Sequence, residues 1–138
     1  MKILITGGAG FIGVNCAAYF SRHGNDVFIF DNLSRTGAKA NADWLAAHHP
    51  CRLIRGDIRN FAELTQVFVE CGPFDLIIHL AAQVAVTTSV VNPREDFEIN
   101  AWGTFNLLEA ARLHNKDAVI IYASTNKVYG GMEDLRIG

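Results

Sequence analysis

The sequence lacks a long hydrophobic run, although half of its 138 residues are hydrophobic. A membrane-spanning helix needs about 18 or more consecutive apolar residues. The glycines at positions 7, 8, 10 and 13 break the apolar stretch near the N-terminus, so it has no continuous core of a signal peptide. We therefore expect a water-soluble, cytoplasmic protein with no membrane partner.

An excess of basic residues is also lacking. Twelve Lys and Arg are set against 14 Asp and Glu, which gives a formal net charge of -2. Nucleic-acid-binding domains usually carry a basic face, so no nucleic-acid partner is expected.

Metal-binding and disulfide patterns are missing as well. The three cysteines, Cys16, Cys51 and Cys71, form no C-x-x-C pair and are odd in number, which favours reduced thiols in the core. The adjacent His48 and His49 do not have the i, i+4 spacing of a helical metal pair, so we assign no metal. No Gly-Lys dipeptide occurs, which excludes a P-loop.

Apolar runs alternate with helical patterns along the whole chain, which is typical of βαβ units. The predicted strands are 2–6, 27–30, 52–55, 76–80 and 118–122. The predicted helices are 11–23, 38–48, 60–71 and a long one opened by Asn92-Pro93, after a loop over 81–92. Asn60, with Glu63 three residues later, is the expected start of the third helix. The buried face of the long helix is expected at Phe97, Ala101, Thr104, Phe105, Leu108 and Ala111. The pattern predicts an α/β protein with a Rossmann-like, doubly wound parallel sheet of about five strands and flanking helices.

A glycine-rich turn follows the first predicted strand. The segment GGAGFIG, residues 7–13, satisfies both G-x-x-G-x-x-G and G-x-G-x-x-G. In a dinucleotide-binding turn the first glycines allow a tight bend, Gly10 lets the backbone approach a pyrophosphate, and Gly13 lets the helix pack closely on the sheet. The pyrophosphate would rest on free N–H groups at the helix N-terminus.

An acidic residue ends the second predicted strand. Asp31 lies 18 residues after Gly13, close to the spacing at which an acid binds the adenosine ribose hydroxyls of NAD. Its charge would repel the 2′-phosphate of NADP, so NAD is favoured, although Arg35 keeps NADP as an alternative. Asp57 ends the third strand at the same edge, either as an adenine contact or as an ordinary acid at a helix start.

Four further segments accompany the glycine turn: FDNLSR (30–35), GDIRN (56–60), HLAAQ (79–83) and STNKVYG (124–130). With them, essentially the whole chain resembles the extended short-chain dehydrogenase/reductases, in particular the NAD-dependent nucleotide-sugar epimerase/dehydratase family. The segments VAVTTS (84–89), DFEIN (96–100) and STNK (124–127) are most similar to the CDP-sugar 2-epimerases of that family.

The resemblance implies NAD as the cofactor and assigns a role to particular residues. It places cofactor contacts at Gly7, Gly10, Phe11, Ile12, Gly13, Asp31, Asn32, Asp57, Ile58, Leu80, Ala81, Ala82, Gln83 and Asn100. It places Thr87 and Thr88 beside the sugar. It gives Thr125, with its neighbour Ser124, the position of the family's catalytic Ser or Thr.

The family's catalytic tyrosine motif is absent. In the family, the tyrosine of Tyr-x-x-x-Lys removes a proton from the sugar hydroxyl. The tyrosines here are at positions 19, 122 and 129, and the residues four further on are His23, Asn126 and Glu133. We therefore expect residues 1–138 to be the NAD-binding, amino-terminal portion of a longer enzyme, with an incomplete sheet, no substrate domain and no activity alone.

The resemblance also implies partners for the complete enzyme. These are a nucleotide-diphosphate sugar, with a CDP-sugar favoured, and further copies of the chain in a homo-oligomer. Two alternatives stay open at this point. One is a 4-epimerase or 4,6-dehydratase of the same family, and the other is a non-catalytic NAD(H)-binding module.

Overall fold

A five-stranded parallel sheet forms the centre of the protein in the computed structural model, which describes residues 1–125. The strands are β1 (Lys2–Thr6), β2 (Asp26–Asp31), β3 (Cys51–Arg55), β4 (Leu76–His79) and β5 (Val119–Tyr122). Their order across the sheet is β3-β2-β1-β4-β5, and all four pairings are parallel. This confirms the predicted Rossmann-like sheet, with all five strands near their expected positions.

Helices cover both faces of the sheet. They are α1 (Phe11–Arg22), α2 (Ala38–His48), α3 (Phe61–Cys71), α4 (Val86–Val91), α5 (Pro93–Phe97) and α6 (Gly103–His114). Alternate strand residues point to opposite faces, so Ile3 and Ile5 pack in one apolar cluster with α1 and α2, whereas Leu4 packs in a second with α3 and α6. None of the helices within 1–125 is long and apolar enough to cross a membrane.

The three central strands are buried, whereas the edge strands are more open. Ile3, Leu4 and Ile5 are completely buried, as expected for a parallel strand covered on both faces. In β5, at one edge, Val119 and Ile121 are 62% and 51% exposed. The three cysteines are free thiols and only half-buried, so they lie at the rim of the core rather than in its centre.

Two helix starts follow the local rules on which the sequence predictions rest. The Asn60 side chain accepts hydrogen bonds from the N–H groups of Ala62 and Glu63. The Asn92 side chain accepts from the N–H of Glu95, and Pro93 occupies the first helical position.

The prediction for residues 81–92 was wrong in part, because Val86–Val91 form α4 within the segment expected to be a loop. The run Val86-Thr87-Thr88 has a low helix propensity by itself, since β-branched side chains lose rotamer freedom in a helix. Its helical state therefore depends on its surroundings, including Ser89, whose hydroxyl donates to Asp96 Oδ1 at 2.6 Å.

The predicted buried face of the long helix was wrong in part, because only Ala111 of the six predicted residues is buried. A π-helical segment, Glu98–Trp102, joins α5 to α6 and inserts extra residues into the helical repeat. Phe105 and Leu108, which follow this segment, are 55% and 46% exposed, and Phe97, which precedes it, is 63% exposed. The other buried residues of α6, which were not predicted, are Gly103, Asn106, Leu107 and Ala110.

A polar chain runs through the core beside β1 and β4. His79, which is 2% exposed, lies between two hydroxyls, with Nδ1 2.6 Å from Thr6 Oγ1 and Nε2 2.9 Å from Thr104 Oγ1. The Thr104 hydroxyl donates its single proton to the Asn100 carbonyl at 2.6 Å, so it accepts from His79. His79 therefore carries its proton on Nε2 and accepts from Thr6 at Nδ1.

Because His79 is buried, its neutral form is favoured and its pKa falls to about 4. Between pH 6.5 and 4 the unfolded chain binds a proton at this imidazole that the folded protein does not. The contribution of neutral His79 to the free energy of unfolding is therefore fully present above pH 6.5. It decreases as the pH falls toward 4, by up to about 3 kcal/mol.

We predict that His79→Gln flattens this part of the stability curve. The free energy of unfolding of the unsubstituted chain, measured by urea denaturation from pH 7 to pH 4, is expected to fall more steeply than that of the variant. His114→Gln, at an exposed position on α6, is the control and is expected to leave the slope unchanged. Equal slopes for the unsubstituted chain and His79→Gln would contradict the prediction.

Candidate functional site

A cleft opens at the carboxyl edge of the sheet, where β1 pairs with β2 on one side and β4 on the other. The connections after β1 and β4 depart toward opposite faces there, which is where open α/β sheets bind ligands. The lining residues are Gly7, Gly10, Phe30, Asp31, Asn32, Ser34, Arg35, Ala38, Gly56, Asp57, Ile58, Leu80, Ala81, Ala82 and Ile99. The cleft thus gathers the ends of four strands.

The glycine turn forms the floor of the cleft. Gly7 has φ +69, and a Cβ on it would lie 2.7 Å from the backbone N of Ala81, so a side chain is excluded by conformation and by space. Its N–H donates to the Phe30 carbonyl at 2.8 Å. A Cβ on Gly13 would clash with the Gly7 carbonyl. Because glycine has no Cβ, α1 can pack closely on the turn.

The N-terminus of α1 follows directly. Gly10 is its N-cap and provides no side-chain cap, so the N–H groups of the first turn are not satisfied by one. The side chains of Phe11 and Ile12 are 83% and 61% exposed, and neither residue lines the cleft, nor does Gly13. Only backbone N–H groups of these three residues could serve a phosphate, and such groups are what a pyrophosphate requires.

Asp31 lies between the glycine turn and the loop that follows β2. Its Oδ2 accepts the N–H of Ala9 at 3.0 Å, and its Oδ1 accepts the N–H of Leu33 at 2.8 Å. The carboxylate also lines the cleft. Because a carboxylate offers about four acceptor positions, it can still accept hydrogen bonds from the hydroxyls of a ligand.

Asp57 is more fully engaged. Its Oδ1 accepts from the backbone N–H and Nε of Arg59, both at 2.9 Å, and its Oδ2 accepts from Arg59 Nη2 at 2.7 Å and from Asn32 Nδ2 at 3.1 Å. These hydrogen bonds, with that of the Arg59 side chain largest, lower the pKa of Asp57 to about 2. An adenine amino group that bound Asp57 would have to share these oxygens with Arg59 and Asn32. The carbonyl of the neighbouring Ile58 also has a partner, because it accepts from Asn106 Nδ2 at 3.3 Å.

Asn100 lies behind the cleft rather than in it. Its Oδ1 accepts the Gln83 N–H at 2.8 Å, and its Nδ2 donates to the Gln83 carbonyl at 3.0 Å and to Asp96 Oδ1 at 3.1 Å. Gln83 and Asn100 are both absent from the cleft lining. The pair fixes the backbone just after Leu80, Ala81 and Ala82, which do line it.

The residues expected to serve the sugar lie elsewhere. Thr87 and Thr88 are exposed on α4, and Ser124 and Thr125 are exposed just after β5; none of the four lines the cleft. The rest of the motif, residues 126–130, lies outside the described residues. Within residues 1–125, no group of three His, Cys, Asp or Glu side chains is arranged to hold a metal ion.

Some cleft residues were missed by the predictions. Ser34, Ala38, Gly56 and Ile99 all line it. Ser34 could have been found, since it lies three residues after Asp31. Ile99 could not, because it belongs to the π-helical segment, whose register the sequence does not reveal.

Comparison with known proteins identifies relatives over nearly the whole chain. The chain is 51% identical over 136 residues to CDP-paratose 2-epimerase of Salmonella typhi, and the match covers 99% of this chain and 40% of that protein. It is 38% identical over 130 residues to UDP-glucose 4-epimerase of Corynebacterium glutamicum, of which it covers 36%. The chain thus spans about two-fifths of the length of these relatives.

A solved structure agrees with these relatives. UDP-glucose 4-epimerase of Thermus thermophilus, in complex with NAD, superposes with a TM-score of 0.79 at 37% identity, over 91% of this chain and 38% of that one. The model of the family described as GDP-mannose 4,6 dehydratase matches residues 4–137. The chain therefore belongs to the GDP-mannose 4,6-dehydratase family, within the nucleotide-sugar epimerases and dehydratases.

Proposed function

We propose that this chain binds NAD(H) and forms the cofactor-binding part of a nucleotide-sugar epimerase similar to CDP-paratose 2-epimerase. The observation that carries the proposal is the position of the glycine turn and Asp31 on two sides of one cleft at the point where the sheet order reverses. The relative of Thermus thermophilus that shares the fold was crystallised with NAD.

The cleft fits the two chemical ends of an adenosine diphosphate. The N–H groups at the start of α1 would face the pyrophosphate, beside Gly7 and Gly10. Asp31 and Asn32 would accept and donate hydrogen bonds at the adenosine ribose, and Asp57 and Ile58 would flank the adenine.

The other end of the cleft would face the nicotinamide. Leu80, Ala81 and Ala82 present small or apolar groups there, and the hydrogen bonds of Asn100 to Gln83 hold their backbone in place. Bound NAD would accept a hydride from the sugar carbon that carries the hydroxyl. Thr125 and Ser124 would lie on the sugar side, with Thr87 and Thr88 near the sugar itself.

The relatives support a proposal for the substrate class. The 51% identity to CDP-paratose 2-epimerase favours a CDP-sugar, in which a hydroxyl is oxidised to a ketone and hydride then returns to the opposite face. A 4-epimerase is the second candidate, because the 38% identity to UDP-glucose 4-epimerase covers almost the same residues. The 2-epimer and the 4-epimer of CDP-paratose have the same mass, so NMR identification of the product, made by an enzyme that contains this chain together with a Tyr-x-x-x-Lys, separates the two.

We also infer a homo-oligomer in the cytoplasm, with a role in carbohydrate metabolism. The oligomer is supported by an exposed apolar stripe on the long helix, where Trp102 and Phe105 stack with centroids 5.5 Å apart and Phe97 and Leu108 are also exposed. The cytoplasmic location is supported by the three free cysteines, which suit a reducing compartment.

We predict that NAD+ binds the 138-residue chain and that Gly10→Glu abolishes this binding. The new side chain would put a carboxylate and its bulk where the phosphates are expected, so the Kd measured by isothermal titration calorimetry should rise at least 100-fold. Gly24→Asn is the matched control, since asparagine tolerates the φ of +76 at this position and its Cβ would meet no atom within 4 Å, and it should leave the Kd unchanged. Unchanged affinity in Gly10→Glu would contradict the proposed position of the pyrophosphate.

NADP+ is expected to bind at least about tenfold more weakly than NAD+, because its 2′-phosphate would lie beside the Asp31 carboxylate. Competition calorimetry measures the ratio. Arg35→Ala should leave the NAD+ affinity unchanged and weaken NADP+ further, because Arg35 lines the same end of the cleft. Equal affinities of the unsubstituted chain for the two cofactors would contradict the role given to Asp31.

The 138-residue chain alone is expected not to epimerise CDP-paratose. No tyrosine in the sequence is followed four residues later by lysine, so the base that removes the hydroxyl proton in this family is missing. The product can be followed by NMR in the presence of NAD+. Sustained turnover, with boiled protein as the control, would disprove this expectation while leaving cofactor binding intact.

A further inference from the structure

Ala9 lies in the middle of the glycine turn and is completely buried. Its N–H donates to Asp31 Oδ2 at 3.0 Å, and its carbonyl accepts from Asn41 Nδ2 at 2.8 Å. Both polar groups of one peptide residue are thus held by side chains, one from the end of β2 and one from the first turn of α2. We call these two contacts the Ala9 clamp.

The clamp extends to the loop between β2 and α2. The second oxygen of Asp31 accepts the N–H of Leu33 at 2.8 Å, and Leu33 has φ +58, a conformation that non-glycine residues adopt only when their surroundings enforce it. The Leu33 side chain packs against a small apolar cluster formed by Ala9, Ala38 and Ala42. The turn and the loop are therefore joined by hydrogen bonds and by apolar contact.

The two members of the clamp differ in their relation to the cleft. Asp31 lines it, whereas Asn41 does not. A ligand in the cleft can touch Asp31, whereas Asn41 can act on that ligand only indirectly, and its side chain donates to the Ala9 carbonyl. This difference allows the bracing role to be measured separately from direct contact.

We propose that Asp31 and Asn41 are positioning residues for the diphosphate of the ligand, since together they fix the glycine turn before the ligand arrives. A turn that is already ordered loses less conformational freedom on binding, so affinity is higher. Asp31 then has two roles, because its remaining acceptor positions serve the ribose hydroxyls. This inference rests on the proposed cofactor-binding function and adds a role for Asp31 beyond recognition of the ribose.

The test compares ADP with 2′,3′-dideoxy-ADP, which has the diphosphate but no ribose hydroxyls for Asp31 to bind. If Asp31 served only the ribose, Asp31→Asn would leave dideoxy-ADP affinity unchanged, or raise it by removing a negative charge near the phosphates. The clamp predicts the opposite sign. An asparagine at this position has one acceptor oxygen, so only one of the N–H groups of Ala9 and Leu33 would keep its acceptor. Dideoxy-ADP should therefore bind about tenfold more weakly to Asp31→Asn in calorimetry.

Asn41→Ala tests the clamp without touching the cleft. It should weaken ADP and dideoxy-ADP by the same factor, about three- to tenfold, because it alters only the turn. Asp43→Asn is the matched control on the same helix, where an exposed ion pair joins Asp43 to Lys39 at 2.8 Å. It should change neither affinity. Unchanged or tighter binding of dideoxy-ADP to both Asp31→Asn and Asn41→Ala would overturn the proposal.

Amide hydrogen exchange on the unsubstituted, unliganded chain gives a result even if the variants do not fold. The N–H groups of Ala9 and Leu33 should be protected before any ligand is added, and free exchange of the Ala9 N–H would overturn the clamp. The two proposals fail differently. If neither NAD+ nor ADP binds the unsubstituted chain, the cofactor-binding function fails, whereas protection of Ala9 without ligand concerns the clamp alone.

Discussion

The central position of β1 is the constraint on which the rest of the structure depends. This strand pairs with β2 on one side and β4 on the other, and its residues Ile3, Leu4 and Ile5 are completely buried. At the carboxyl end of β1, the chain turns within a narrow space. This space lies between the backbone of Ala81, which follows β4, and the carbonyl of Phe30 in β2. Gly7 fits that space because it has no Cβ. The cleft, the glycine turn and the start of α1 all follow from this one junction.

Hydrogen bonds made by the acidic side chains at the strand ends give the cleft its shape. Asp31 holds the N–H groups of Ala9 and Leu33, and Asp57 is held by Arg59 and Asn32. The hydrogen bonds to Asp57 favour its ionised form, which is why its pKa lies at about 2. The acids at the strand ends are thus structural as well as candidate ligand contacts, so a substitution at either position alters the backbone geometry along with the charge.

The long helix shows how a local irregularity changes a surface. The π-helical segment Glu98–Trp102 shifts the register, so α6 buries Gly103, Asn106 and Leu107, while Phe105 and Leu108 face outward. A periodicity argument that assumes one continuous α-helix chooses the larger apolar residues and therefore chooses the wrong face. The same segment carries Asn100, whose side chain fixes the Gln83 backbone. The irregular turn thus supports the cleft and leaves an apolar stripe exposed.

The sequence by itself determined the order of strands and helices, the glycine turn and the acid at the end of β2, because each depends on local patterns: apolar runs, Asn60 and Asn92 as helix caps, and glycine where φ is positive. It also determined the family. Only the tertiary structure decided the rest. It formed α4 from residues of low helix propensity, and it set the exposed face of the long helix. It also brought Asp31 and Asn41 onto one buried peptide at Ala9, because such contacts join residues that are distant in the chain.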